Sequence, residues 1–248
     1  MSGYRCFANY YDRLTDNVEY KKRADYFRTL LSAFGISGGI LVDLACGTGS
    51  LLFEMAAFGY EAIGIDSSPE MLSIAQSKMP EEGKKPLLLC QDMRTLDLYG
   101  TVDAVICSLD SINHLTKPED VKETFKRVSL FLNPGGIFIF DVNTIYKHEK
   151  VLADNAFVFD FDDLYCVWQN RTDTTTGIVD ITLDFFEEDN GAYYRSTENF
   201  AERAYSFDDL GAWLKEAGLE VKSIYEELKQ TPPAETAQRA VFVAGKAR

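Results

Sequence analysis

No stretch of the 248 residues approaches the roughly eighteen consecutive apolar residues that a membrane-crossing helix needs. No apolar segment follows a basic one near the N-terminus either, so a soluble, cytoplasmic chain with no membrane partner is expected. Basic residues are scarce: 25 Lys and Arg stand against 39 Asp and Glu, for a formal net charge of -14. The densest basic cluster, Lys21-Lys22-Arg23, is soon followed by Asp25. RNA or DNA would be repelled over most of such a surface, which excludes nucleic acid and favours a neutral or cationic small partner. The five cysteines (Cys6, Cys46, Cys90, Cys107, Cys166) contain no C-x-x-C pair, and reduced, buried thiols are expected. Histidine is scarcer still. His114 and His148 are the only two and are not spaced as a helical ligand pair, so no metal is expected.

What the chain does have is Leu41-Val42-Asp43-Leu44-Ala45-Cys46-Gly47-Thr48-Gly49, a buried strand running into a glycine turn. A helix from Ser50 follows directly, and its unpaired N–H groups favour an anionic group of a ligand. Asp66 closes the next apolar run, Glu61-Ala62-Ile63-Gly64-Ile65, where an acid accepts from both hydroxyls of a ribose. The dinucleotide pattern G-x-G-x-x-G wants a third glycine, and Leu52 stands in its place. Asp92 ends a third strand, positioned to accept from an adenine amine, with Met71 and Met93 offering soft apolar surface to a purine.

These blocks resemble those of the class I S-adenosylmethionine-dependent methyltransferases. The matching residues are Asp43 to Gly49, Ile65-Asp66-Ser67-Ser68-Pro69-Glu70-Met71-Leu72, Gln91-Asp92-Met93, Cys107 to Leu115 and Leu132 to Asp141. The opening Phe7-Ala8-Asn9-Tyr10-Tyr11-Asp12-Arg13-Leu14, followed by Tyr20, is similar to the start of a small-molecule branch. The resemblance implies S-adenosyl-L-methionine as cofactor, touched by Tyr11, Tyr20, Asp43, Ala45, Cys46, Gly47, Gly49, Asp66, Ser67, Met71, Asp92, Met93, Cys107 and Leu109. It also implies that the loop Cys107 to Leu115 faces the acceptor. Asp110 and Ser111 are then candidate acceptor contacts, and Asp110 and His114 candidate catalytic groups. Ala45 departs from the family, where many members carry glycine.

Strands about 40–44, 61–65, 87–91, 102–107 and 137–142 alternate with helices, which predicts a doubly wound, mostly parallel α/β sheet. Tyr20, Ala24, Phe27, Leu31 and Phe34 form one helical stripe closed by Gly35. Ser68-Pro69 starts another helix, and Thr116 to Glu119 has capping-box spacing for a third. The pattern breaks after Asp141. Val179, Ile181, Leu183 and Phe185 alternate with polar residues, and Asn190-Gly191 marks a hairpin. An antiparallel β insert at 150–202 is therefore expected as a lid after the fifth strand, with 1–149 and 203–248 forming the Rossmann-like, cofactor-binding body. A helix at 206–217 and strands about 220–228 and 239–245 complete seven strands, the last antiparallel as the resemblance implies. Tyr165, Trp168, Tyr193, Tyr194 and Arg195 lie in the insert, and Arg203 and Tyr205 just beyond it are further candidate acceptor contacts.

The leading expectation is methyl transfer to N or O of a small molecule by in-line placement, with no covalent nucleophile. A nicotinamide-dependent oxidoreductase is the second reading, disfavoured by Leu52 and Asp92. A non-catalytic S-adenosylmethionine binder is the third, since its cofactor blocks would look the same. No motif identifies the acceptor or an oligomeric state.

Overall fold

The computed structural model describes residues 5–81 and 84–247. Five strands, β1 (Ile40–Leu44), β2 (Glu61–Asp66), β3 (Leu87–Cys90), β4 (Val102–Cys107) and β5 (Leu132–Asn143), run parallel. Two later strands, β10 (Leu219–Glu226) and β11 (Arg239–Lys246), extend them into one seven-stranded sheet in the order β10-β11-β5-β4-β1-β2-β3. β11 lies antiparallel between β5 and β10, as expected. The winding reverses between β1 and β4, where the crevice beyond the strand ends takes ligands in sheets of this kind.

Apolar residues run nearly unbroken along the inner strands β1, β4, β5 and β11 because both faces are covered. On one face Val42, Leu44, Val105, Phe138, Phe140 and Phe242 pack against α5 (Pro118–Phe131) and α7 (Phe207–Glu216). On the other Leu41, Ile106, Ile139 and Val243 pack against α2 (Tyr20–Ala33) and α3 (Ser50–Ala57). Each such large side chain, fully buried, contributes about 1.5–3 kcal/mol.

Local signals set several boundaries. Ser68 caps α4 (Pro69–Ser77) by accepting from the Met71 N–H at 3.2 Å. Gly35 at φ 89° and Gly218 at φ 81° follow the ends of α2 and α7 in the left-handed conformation that glycine allows. The capping box at Thr116 does not form. Pro118 takes the first helical position, so Lys117 becomes the N-cap, without a side-chain cap bond. β5 also begins at Leu132, earlier than the sequence suggests, directly after α5.

After β5 come a short turn α6 (Ile145–Lys147), a wider helical turn His148–Leu152, and four antiparallel strands. These are β6 (Ala156–Phe161), β7 (Leu164–Asp173), β8 (Ile178–Asp189) and β9 (Ala192–Arg203), paired in that order. Asn190 (φ 53°) and Gly191 (φ 81°) form the β8–β9 hairpin, both in the left-handed region that a tight hairpin turn demands. Val179, Ile181, Leu183 and Phe185 bury one face of this second sheet. Phe7, Tyr10 and Leu14 of α1 (Arg5–Leu14) cover it.

Cys46, Cys107 and Cys166 are buried, while Cys90 is exposed, contrary to the expectation of uniformly buried thiols. The side chain of Cys6 lies outside the described residues.

Candidate functional site

The turn after β1 is held by its own backbone and by Asp66. Ala45, Gly47 and Gly49 all have positive φ (63°, 54° and 79°). The departure at Ala45 thus leaves the left-handed turn intact, with an alanine accepting a conformation that costs an L-residue about 1–2 kcal/mol. A side chain at Gly49 would strike the Phe53 ring, at 2.9 Å from its Cβ. Asp66 accepts from the Gly47 N–H and the Ser68 N–H, both at 2.8 Å, so it braces the turn while a lone pair on each oxygen stays available. Burial raises its carboxyl above the usual range, against the lowering effect of those backbone bonds. Asp43, 2% exposed, is pushed up to about 8 by burial and by Asp66, and its Oδ2 has no hydrogen-bond partner.

Helix α1 lies over this turn. The Tyr11 ring reaches within 4.0 Å of where a Gly47 side chain would stand, and the Asp12 carboxylate accepts from Thr48 Oγ1 at 2.6 Å and Lys78 Nζ at 2.7 Å. Burial raises the Tyr11 hydroxyl well above its ordinary value, assisted by Tyr20, Asp110 and Asp66. Those four groups therefore lie near one another. Burial likewise pushes the thiols of Cys46 and Cys107 up, so neither is a thiolate nucleophile at neutral pH.

Beyond β4 the chain makes a strained turn. Leu109 (φ 57°) and Asp110 (φ 54°) are both left-handed, held there because their N–H groups donate to the buried carboxylate of Asp141 at 3.0 and 2.8 Å. Arg23 and Arg239 also bind Asp141, at 3.1 and 2.5 Å. Arg239 lies 2.7 Å from Asp110, and Asn143 Nδ2 donates to Asp110 at 3.0 Å. Burial pushes the Asp110 carboxyl up, but Arg239, with Lys147 and His114, more than reverses this and holds it far below the carboxylate range.

His114 closes the cleft. Its ring lies 5.3 Å from that of Phe200, and its Nε2 is 4.0 Å from Glu202 Oε1, both on β9. On the opposite side of the same carboxylate, His148 Nε2 is 3.4 Å from Glu202 Oε2. The chain's only two histidines, read from the sequence as unrelated, thus meet at one buried glutamate. Among the described residues, Asp110, His114 and Glu202 bring one ligand-type atom each within 4.8 Å of one another. Arg239 and Lys147 already supply positive charge there.

These features have counterparts in known proteins. Residues 41–136 match the family described as Methyltransferase domain. A putative methyltransferase of Bacillus subtilis (strain 168) is 34% identical over 247 residues, covering 99% of this chain and 98% of its own. A crystal structure of an S-adenosylmethionine-dependent methyltransferase from Clostridium acetobutylicum ATCC 824 superposes with TM-score 0.89 at 32% identity, covering 99% of both chains. The chain belongs to the class I S-adenosylmethionine-dependent methyltransferases. A glycine/sarcosine N-methyltransferase of Parasynechococcus marenigrum (strain WH8102) is 31% identical over 138 residues, 54% of this chain and 48% of its own.

The residues present fit a methyltransferase cofactor: a turn with glycines at positive φ, an unpartnered buried Asp43 oxygen, and Asp66 with a lone pair open on each oxygen. The structure brings together Tyr11, Tyr20, Asp43, Gly47, Asp66, Asp110 and His114. Cys46, Met71, Cys107 and Ser111 are buried beneath or beside them, and Ser111 Oγ donates to the Ser108 carbonyl, ordering the loop. Ser67 is exposed at the β2 rim. Asp92 is engaged by Arg94, whose Nε and Nη2 donate to it at 2.9 and 2.5 Å, and its oxygens keep further lone pairs. Met93 packs against the core. Tyr205 is not at the cleft: it is 5% exposed within the main core, its hydroxyl donates to the Leu115 carbonyl, and its ring meets Trp213. Arg203 donates to the Thr116 carbonyl at 3.3 Å and stacks on Tyr205, which binds it to the fold. Asp12, Glu202 and Arg239 were missed as functional candidates. Asp12 stood inside the quoted N-terminal block, while the other two carried no local signal.

Proposed function

We propose that this methyltransferase moves a methyl group from S-adenosylmethionine to the nitrogen of a small-molecule amine held between the loop after β4 and the end of β9. The observation that carries this is the half-exposed His114 imidazole set among the carboxylates of Asp66, Asp110 and Glu202. The bound cofactor supplies an electrophilic methyl on a sulfonium. Everything else falls to the chain. Asp66 and the glycine turn hold the nucleoside end, Tyr11 and Tyr20 shield the cleft, and Asp43 accepts from the cofactor's polar end. Glu202 beside His114 favours an amine acceptor, in line with the relative named for glycine and sarcosine. An ammonium must lose a proton before it presents a lone pair. Asp110 is too strongly held as a carboxylate by Arg239 to take that proton at neutral pH, so it anchors the amine instead. His114 takes the proton. Placement of the lone pair in line with the methyl provides the larger share of the acceleration, on the order of 7–11 kcal/mol.

In this reading the insert, 150–202, closes over the acceptor, while 1–149 and 203–248 hold the cofactor. Free thiols at Cys46, Cys90 and Cys107 support a reducing, cytoplasmic setting, and the net charge of -14 supports a small acceptor over a nucleic acid. The test is to incubate the protein with S-adenosylmethionine and pooled primary and secondary amines, watching for S-adenosylhomocysteine, and then to repeat it with His114→Ala. Turnover on an amine that falls about 100-fold or more in the variant supports the reading. Turnover only on hydroxyl acceptors, or full activity of the variant, overturns it.

A further inference from the structure

We propose that Glu202 is a positioning residue that acts through His114, which makes the β insert a part of the catalytic apparatus and not only a cover. The inference rests on the reading that His114 takes the acceptor's proton. Glu202 is 2% exposed, on the last strand of the insert. A carboxylate so far from water is costly unless it is partnered. Its Oε2 accepts from Asn143 Nδ2 at 3.0 Å, and His148 Nε2 lies 3.4 Å away without a hydrogen bond. Facing Oε1 is the His114 imidazole, whose Nε2 lies 4.0 Å away.

The backbone around Glu202 is fixed with equal care. Asn113, one residue before His114, donates from Nδ2 to the carbonyls of Asn143 and Arg203 at 3.2 and 2.9 Å and accepts from the Asn143 N–H at 2.9 Å. One buried amide therefore ties the His114 loop, the end of β5 and the end of β9 together. Phe200, two residues before Glu202 and on the same side of its strand, packs on the His114 ring and sets its plane. With Nε2 turned to Glu202, Nδ1 is left for the acceptor. When the ring gains a proton, Glu202 supplies the counter-charge. A base oriented by a third, buried group is a recurring arrangement for proton transfer. Other charged groups cannot take that part: Asp110 is neutralised by Arg239, Asp66 is bonded to backbone N–H groups, and Lys147 carries the wrong sign.

A double-mutant cycle on the full chain tests this. Wild type, Glu202→Gln, His114→Ala and the double variant are compared for kcat, acceptor KM and S-adenosylmethionine affinity. Gln keeps the shape and removes the charge. The expected result is that Glu202→Gln lowers kcat roughly 10- to 100-fold, part of the 10²–10⁴ that a positioned base contributes, with KM and cofactor affinity within about threefold. In the His114→Ala background the same change should alter kcat less than about twofold, because its route is gone. Equal losses in both backgrounds would show a purely structural Glu202 and overturn the proposal. Should Glu202→Gln not fold, Glu202→Asp keeps the charge but withdraws it by one methylene, and the same cycle applies. Wild-type kcat in His114→Ala would instead strike the proposed base, leaving the cofactor assignment untouched. Activity abolished by EDTA and restored by Mn²⁺ would make Asp110, His114 and Glu202 metal ligands and contradict the relay.

Discussion

The central sheet and the insert are built on opposite plans. The inner strands β1, β4, β5 and β11 of the central sheet are buried on both faces, and the acids Asp43, Asp66 and Asp141 lie at or near strand ends that meet the crevice. The insert buries one face of a four-stranded antiparallel sheet, and its polar contribution, Glu202, comes from the end of its last strand. The sheet shapes its half of the cleft largely with backbone, through a turn of three positive-φ residues braced by one carboxylate. The insert supplies side chains. Helix α1 joins the two: Asp12 binds the glycine turn, while Phe7 and Tyr10 pack on Phe185 of the insert and Tyr10 Oη donates to Glu187.

That junction offers the largest way to break the comparison. Phe185 is fully buried and stacks 5.8 Å from Tyr10. Phe185→Ala should cost about 3–5 kcal/mol of insert stability, read as an early transition in a thermal melt and as loss of hydrogen-exchange protection in 156–203. If the insert is a separately built unit, β1 to β5 keep their protection in the same sample. Uniform loss across both sheets would mean that they form a single cooperative unit.

Asp43 sharpens the sheet's side. Its carboxyl is raised to about 8 in the folded chain by burial and by Asp66, above its unfolded value near 3.8. The folded state therefore holds the proton more tightly, and this stabilisation is complete below about pH 4 and lost as pH climbs toward 8. At up to about 1.4 kcal/mol per pH unit, the contribution falls by roughly 2–3 kcal/mol between pH 5 and 7. Urea melts of the ligand-free protein should show that decline, and Asp43→Asn, which keeps a neutral amide there, should flatten it. Parallel pH dependences in the two proteins would remove Asp43 as the cause.

Much of this division was legible in the residues themselves. Leu41 to Gly49 announces a buried strand and a turn because glycine is needed where φ is positive, and Val179 to Phe185 announces a one-sided strand by simple alternation. Ser68, Gly35 and Gly218 mark helix ends because each satisfies local backbone groups. What escaped detection depends on distant partners. The apolar stripe of α1 acquires meaning only against β8, some 170 residues later, and Arg239 is bound to Asp110 across a separation that is likewise far beyond any local pattern. Asp92 has its partner close by instead: Arg94, two residues away, forms a local ion pair with it. Glu202 had no visible signal, since an acid in an alternating strand ordinarily faces water.

The central claim, that the sheet binds the cofactor while the insert serves the chemistry, is tested most directly by calorimetry of S-adenosylmethionine with Asp66→Ala and Glu202→Gln side by side. Asp66→Ala should weaken binding by about 1.5–3 kcal/mol, the usual worth of hydrogen bonds to a charged group, while Glu202→Gln stays within about 0.7 kcal/mol of wild type, a threefold change. Comparable losses in both variants, or an unchanged affinity in Asp66→Ala, would contradict it.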